Sequence, residues 1–461
     1  MKQNAEFIRN LWLQISAARL IGAAAMIALV VIVIFASVTS RPWEVVMTFA
    51  SAALSLVLIF WGATVARATI HDEIRANTWN QQRMSGLTPW QITWGKLFGG
   101  TAFIWCISLA VLLLWCVARV ASGDAQGLLP SVLTWLAAGV ATHAVAMIAA
   151  VGFRSSDGSR VEPIPVGVLI VALLVATQSA VPFVLLGERG SRWYGHAFTQ
   201  PELMLLLIVP IALWAVIGAR RSIQREMQET LAPWALPLAL LCFGFLFAGF
   251  VDARGGFESL LAGFVVSFGM TAAFAWAAFF AEPQSILTTR ECVALFAAGR
   301  VREALSQLTT ASVLLVTLGM LSVICAIGSA SLISMDQPLA FTRTGSERAL
   351  LTLAPVIYVW VVISALRDFC VAHLLQTMSR NGARAMGTFG IYIAVMYVAV
   401  PLLLDALIND AKDFWMPTST SPSAFCLIGA FASLALVCVL VRRQWHAAII
   451  APIAQLAADA R

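Results

Sequence analysis

The chain has 461 residues, 60% of them hydrophobic and 11% charged, with a mean hydropathy of +0.87. Its apolar runs are far longer than a soluble core helix needs, which excludes a water-soluble globular protein and points to an all-α polytopic membrane protein. The formal net charge of +6 does not imply nucleic acid, because the basic residues sit in short clusters between apolar runs, the pattern that sets membrane topology.

Residues Met1 to Arg19 are polar and amphipathic, with no early apolar core or cleavage site, so no removable signal peptide is expected. Windows of about 20 apolar residues, enough to cross ~30 Å of hydrocarbon, fit the chain twelve times. The first six fall at 20–38, 45–66, 97–118, 131–153, 164–186 and 202–219. The second six fall at 233–251, 259–281, 305–330, 349–366, 388–404 and 424–441. With the N-terminus in the cytosol and strict alternation, 21 of the 29 Lys and Arg lie on the cytosolic side, as the positive-inside rule requires, and both termini are cytosolic.

Between the second and third windows, residues 67–96 form a polar excursion. It reads His71-Asp72-Glu73, then Asn77-Thr78, then Ser85-Gly86-Leu87-Thr88-Pro89-Trp90-Gln91, and closes with Gly95-Lys96 at the next apolar run. Gly86 is a helix stop, and Thr88 with Pro89 behind it and Gln91 three residues on predicts a capping box that starts a new helix. The segment is therefore predicted to be a helical elbow at the membrane surface, on which a cytosolic partner can push. Glu73, Arg75 and Arg83 are the candidate contacts, and Thr78, Thr88, Pro89, Gln91 and Lys96 complete the candidate elbow.

Two halves of similar layout are expected, residues 1–230 and 231–461. Each opens with an amphipathic lead-in (Asn4 to Ala18; Ser222 to Leu231), makes a two-span hairpin, and then has a polar cytosolic stretch. In the second half that stretch is 282–303, with Arg290, Glu291, Arg300 and Arg302 as its counterpart candidates. Each half ends with an outside aromatic segment (Arg192-Trp193-Tyr194; Asp413-Phe414-Trp415), a final span and an arginine pair (Arg220-Arg221; Arg442-Arg443). An even number of spans per half makes these parallel repeats, an arrangement that transporters use as two sides of one pathway.

Glu73 to Lys96 resembles the signature stretch of type-2 ABC exporter permeases, in which an acidic residue leads a Gly-Thr pair, a Thr-Pro-Leu-Ser turn, a second acidic residue and a Gly-Lys. Glu73 takes the acidic place, Thr78 the threonine, Ser85 to Trp90 the turn and Gly95-Lys96 the close, while Asn77 replaces the glycine and Gln91 the second acid. The resemblance covers the first half, and the second only by layout. It implies a bacterial inner-membrane subunit that exports a substrate, is not itself an enzyme, and works with a separate cytosolic ABC ATPase. It also implies that ATP and Mg²⁺ sit on that partner and no cofactor in this chain, with the lipid bilayer and a second permease copy or another membrane subunit as further partners.

Three features of the chain bear on that expectation. No Gly-x-x-x-x-Gly-Lys-Ser/Thr loop is present; the nearest candidate, Gly95-Lys96-Leu97, lacks the earlier glycine and the hydroxyl. Asp252, Asp368 and Asp405 all fall near predicted span ends, so no carboxylate is expected deep in a span, where a proton-coupled secondary carrier would keep one. Such a carrier, of the twelve-span facilitator type, also has a short basic turn where this chain has thirty residues. A non-transporting membrane anchor or assembly subunit remains the third reading. Sparse charge within the spans fits a lipidic, amphipathic or peptide-like cargo better than a small ion.

The remaining polar residues have plain readings. His143 is expected to be hydrogen-bonded inside the bundle. His71-Asp72-Glu73 reads as a solvated surface rather than a metal site. The eight cysteines lack a Cys-x-x-Cys pair and read as packing. Pro182, Pro210, Pro355 and Pro401 lie in or near spans and remove helix hydrogen bonds there. Trp193, Tyr194 and Trp415 read as headgroup-level aromatics, and Gly99 and Gly100 as a close helix contact.

Overall fold

The computed structural model describes residues 4–152, 192–229, 231, 233–250, 256–281, 286–334, 355–378, 382–407 and 425–445. The predicted fifth span at 164–186, Pro182, Asp252 and Trp415 lie outside them. The protein is an all-α polytopic membrane protein: among the described residues, nine helices are long and apolar enough to cross a bilayer, and two shorter apolar ones, Ala235–Ala248 and Gly387–Leu403, accompany them. Two compact units divide the chain at Leu231.

In the first unit α1, Ala5–Gln14, begins at Asn4, whose side chain accepts the backbone N–H of Phe7. The predicted continuous lead-in breaks at Ile15, and Ser16 caps a new helix, α2, Ala17–Ser37. α3 spans Pro42–Arg75. Its 34 residues give a length of about 51 Å at ~1.5 Å per residue, far beyond ~30 Å of hydrocarbon. The surplus is the stretch where Arg67, His71, Asp72 and Glu73 begin, so α3 carries its own helix out of the apolar layer.

α3 contains a π-helical turn, Ser55–Trp61. Such a turn leaves backbone groups unpaired, and in an apolar layer those need a partner. His143 of α7, Leu128–Gly152, supplies it: its Nε2–H donates to the Leu58 carbonyl at 2.9 Å. The imidazole is fully buried, with Trp105 edge-on at 5.2 Å. Room for the ring exists because residue 62 is glycine; a Cβ there would lie 2.0 Å from His143 Nε2. His143 is thus a bundle histidine, as its isolation in an apolar run implied.

α4, Trp79–Arg83, and α5, Pro89–Trp94, form the elbow, and α6, Ala102–Ala121, and α8, Gln200–Glu226, complete the described part of the unit. Leu54, Leu58, Trp115, Trp135 and Ile208 form one core cluster, and Ile70, Trp79, Ile92, Leu97, Met147 and Ile223 form another at the elbow end. The predicted aromatic segment at 192–194 enters a small antiparallel hairpin, β1 Arg192–Trp193 and β2 His196–Ala197. Tyr194 and Gly195 both have positive φ, the geometry of a tight two-residue hairpin turn.

The second unit contains α9, Ala235–Ala248; α10, Gly256–Ala281; α11, Ile286–Ala297; α12, Val301–Ser306; and α13, Thr310–Ser334. It continues with α14, Pro355–Met378; α15, Gly382–Ala394, running through a π-helical turn into α16, Val400–Leu407; and α17, Phe425–Trp445. Pro401 stands two residues after the end of that turn, at a point where a regular helix would need its missing N–H.

One expectation is overturned here. The tenth predicted span, 349–366, leaves Asp368 near its end, but α14 continues to Met378 and buries Arg367 and Asp368 in its middle. Both carboxylate oxygens of Asp368 are occupied. Oδ1 accepts from Arg367 Nε at 3.0 Å and Tyr392 OH at 2.8 Å, and Oδ2 accepts from Trp276 Nε1 at 3.0 Å and from Tyr397 OH. Adjacent opposite charges cancel and are hydrogen-bonded, so a membrane helix tolerates them.

The His143 pocket makes a direct prediction. Gly62→Ala should lower stability by about 1–3 kcal/mol through overpacking, measured as thermal unfolding in detergent. In a His143→Ala background the same substitution should have almost no further effect, and an undiminished loss there would show that the clash is elsewhere.

Candidate functional site

The elbow is built from the end of α3, the short helix α4, Trp79–Arg83, and α5, Pro89–Trp94. α5 passes through a π-helical turn, Gly95–Gly99, toward α6. α3 stops at Asn77, which is left-handed with φ 57. Thr78 N donates to Glu73 O at 3.0 Å and Asn77 N to Ile74 O at 3.2 Å. These two bonds are the Schellman pair that closes a helix around a left-handed residue, usually glycine and sometimes asparagine. Asn77 therefore meets the conformational demand that glycine would.

Gly86, with φ 71, ends the α4 turn, and α5 starts from the capping box that the sequence predicts. Thr88 Oγ1 accepts from Gln91 N at 3.3 Å, and Gln91 Oε1 accepts from Thr88 N at 2.9 Å. Gln91 serves this geometry as an acid would, since only a side-chain acceptor is required. Pro89 occupies the first helical position, where its missing N–H is harmless.

The charged residues meet at the inner side of this elbow. Lys96 has no exposed surface. Its Nζ pairs with Glu73 Oε2, lies 3.6 Å from Glu6 Oε1, donates to Thr69 O at 3.1 Å, and sits 5.5 Å from the centre of the Trp79 ring. Arg9 Nη2 pairs with Glu73 Oε1 at 2.7 Å and with Glu6 Oε1 at 3.1 Å. Gln82 Nε2 and Asn10 Nδ2 complete the cluster, on Glu73 at 3.3 Å and Glu6 at 2.8 Å. Two cations face two carboxylates, so the group is neutral. Burial pulls the Lys96 ammonium below its ordinary range, and the Glu73 carboxylate opposes that. Removing one partner of such a pair costs far more than the pair contributes, about 3–5 kcal/mol, because a buried charge is left alone.

α1 is held by this cluster and by backbone contact. A Cβ on Gly95 would lie 2.5 Å from Glu6 Cγ, and one on Gly99 would lie 2.9 Å from Phe7 O. One on Gly100 would lie 2.5 Å from Thr69 Cγ2 of α3. Asn4 Nδ2 also donates to Gln91 O at 2.8 Å. The N-terminal helix, the elbow and the entry to α6 are thereby one piece. On the other flank Arg220 of α8 lies 5.7 Å from the Trp90 ring centre.

The candidate residues divide into two groups. Glu73 and Lys96 point inward and hold the elbow together; Lys96, wholly buried, cannot meet a partner directly. Arg75, Thr78 and Thr88 are exposed. Arg83 is half-buried and bonds Asn80 Oδ1 at 3.4 Å. Met84 is 80% exposed and Trp90 41%, giving the outer face two large apolar side chains that the sequence reading did not select. A polar cavity of about 420 Å³ lies between α1 and the elbow, lined by Glu6, Arg9, Glu73, Thr78, Gln82 and Leu87 among others. The roles of Glu6 and Arg9 were also missed. Their signal was Glu6, Arg9 and Asn10 on one stripe of a short amphipathic helix, with Lys96 uncompensated at the head of a span.

In the second unit, α11 and α12 form a helical pair around Gly299, which has φ 74. Arg290 lies on α11 and Arg302 on α12; Glu291 and Arg300 are exposed, and Arg300 pairs with Glu303 within its own turn, Nε to Oε1 at 2.9 Å.

Two substitutions test the clasp. Lys96→Met, which leaves Glu6 and Glu73 facing each other, should lower stability by about 3–5 kcal/mol and open residues 76–88 to limited proteolysis. Gly95→Ala should release α1 with the lipid-facing helices intact, read as faster cleavage within residues 4–16; unchanged cleavage would show that α1 is not seated there.

Compared with known proteins, the chain matches no family model, no curated protein and no solved structure, so the geometry of the elbow is what bears on its role.

Proposed function

We propose that the chain is the permease subunit of an ATP-driven ABC exporter in a bacterial inner membrane, with the elbow on the cytosolic side receiving force from a separate ATPase subunit. The observation that carries this reading is the neutral cluster in which the buried Glu6 and Lys96 meet the half-buried Glu73 and the exposed Arg9. It makes the elbow a stiff projection joined to the entry of a membrane-crossing helix, with an outer face left exposed. A push on that face moves α1, the end of α3 and the start of α6 together, since none can shift without separating the buried Lys96 from Glu6 and Glu73. The pair α11–α12 is the corresponding contact in the second unit.

The proton-coupled carrier is the second reading, because Asp368 is a buried carboxylate of the kind such carriers use. Against it, all of the Asp368 acceptor positions toward α10, α14 and α15–α16 are taken by Arg367, Tyr392, Tyr397 and Trp276. A proton would have to displace one of these donors.

The test is co-purification followed by reconstitution. The tagged chain should bring down an ATP-hydrolysing subunit; Met84→Glu with Trp90→Ala should abolish that association, and Glu73→Gln should keep it while uncoupling hydrolysis from transport. Transport that survives ATP depletion but collapses with the proton gradient, and that Asp368→Asn abolishes, would establish the carrier instead. A chain that binds no ATPase and moves nothing would be an anchor.

A further inference from the structure

The first unit contains an apolar groove that no segment of its described chain fills. α2 packs most closely near its far end, where Ile34 packs on Val46 and Ala118 and Phe35 lies edge-on to Trp43 at 4.8 Å; Ile34 is the one buried residue of the helix, and Ile27 in its middle is packed only in part. Toward the elbow end α2 stands away from α3 and α6, leaving a cavity of about 700 Å³, within the usual size range of a ligand pocket. Its α2 wall is the stripe Arg19, Ala23, Met26, Ile27 and Val30. That spacing of three and four is a helix face suited to packing.

Two properties of the groove identify what packs there. From Arg19 to Val30, eleven residues at ~1.5 Å each give roughly 17 Å, about the depth of one leaflet of a ~30 Å hydrocarbon layer. The groove also has a cation at its shallow end. Arg19 is exposed in the first turn of α2, where the helix dipole disfavours positive charge and favours an anion. No acidic side chain among the described residues pairs with it. A one-leaflet apolar slot closed at the headgroup level by an unneutralised guanidinium has the shape and charge of a phospholipid.

We infer that this groove binds one anionic phospholipid, with an acyl chain between α2 and the α3–α6 wall and its phosphate on Arg19. The lipid fills the groove and secures α2 against the bundle. This assignment needs only that the chain lies in a bilayer and is independent of any ATPase.

The full chain in nanodiscs of equal phosphatidylglycerol, phosphatidylethanolamine and phosphatidylcholine, released for native mass spectrometry, tests it. One phosphatidylglycerol per chain should be retained about fivefold over the other two, the preference that one basic side chain gives for an anionic lipid. Arg19→Ala should erase the preference and Arg19→Lys should keep it. Ala23→Trp, which fills the groove, should lower retention of all three lipids, whereas Leu113→Trp, at a site 67% exposed on α6 and outside the groove, should change nothing. Equal retention of the three lipids by the unmodified chain, an undiminished preference in Arg19→Ala, or a stable dimer that Ala23→Trp dissociates would each overturn the assignment, the last by seating a second copy in the groove.

Discussion

A lysine ammonium without solvent contact governs the architecture of the first unit. Lys96 stands at the head of an apolar helix, where an isolated charge would be several kcal/mol unfavourable. It is tolerated because Glu73 reaches it from the end of α3, Glu6 from α1, and the Thr69 carbonyl from the α3 backbone. Each of those groups is fixed by something else. Glu73 needs α3 to stay helical well past the hydrocarbon; Glu6 needs α1 to lie against Gly95 and Gly99; and the turn between needs Asn77 and the Thr88 cap. The long helix, the surface helix and the elbow are therefore consequences of one burial.

The same logic recurs twice elsewhere. In α3 the Leu58 carbonyl, at an irregular turn inside the apolar layer, is satisfied by His143, and glycine at 62 makes room for the ring. In α14 the charge of Asp368 is balanced by its neighbour Arg367 and held by two tyrosines and a tryptophan. In all three places a polar group that lipid cannot solvate is met by a side chain from another helix, which fixes how those helices pack.

Most helices were legible because membrane crossing imposes a length and an apolar composition that few other constraints produce. The elbow's punctuation was legible too, since Gly86, Thr88, Pro89 and Gln91 act through local backbone geometry. What the chain concealed was tertiary. Nothing near Lys96 in sequence announces Glu6, ninety residues earlier, and a lysine beside an apolar run reads naturally as a topology signal. Arg367 and Asp368 misled for the related reason that two adjacent charges look like a span end when each is counted separately. The Asn77 substitution read as a departure and proved conformationally equivalent, which only the sign of φ could reveal.

The contact of α1 with Gly95 and Gly99 also orders assembly in time. α1 leaves the ribosome well before its seat, which consists of backbone that appears some ninety residues later, after two apolar helices have been made. Until then Glu6 and Arg9 have only water and each other, and the helix waits at the membrane surface on Trp12 and Leu13, which remain 81% and 69% exposed even in the folded chain. A helix made early thus depends for its docking on backbone made after two membrane-crossing helices.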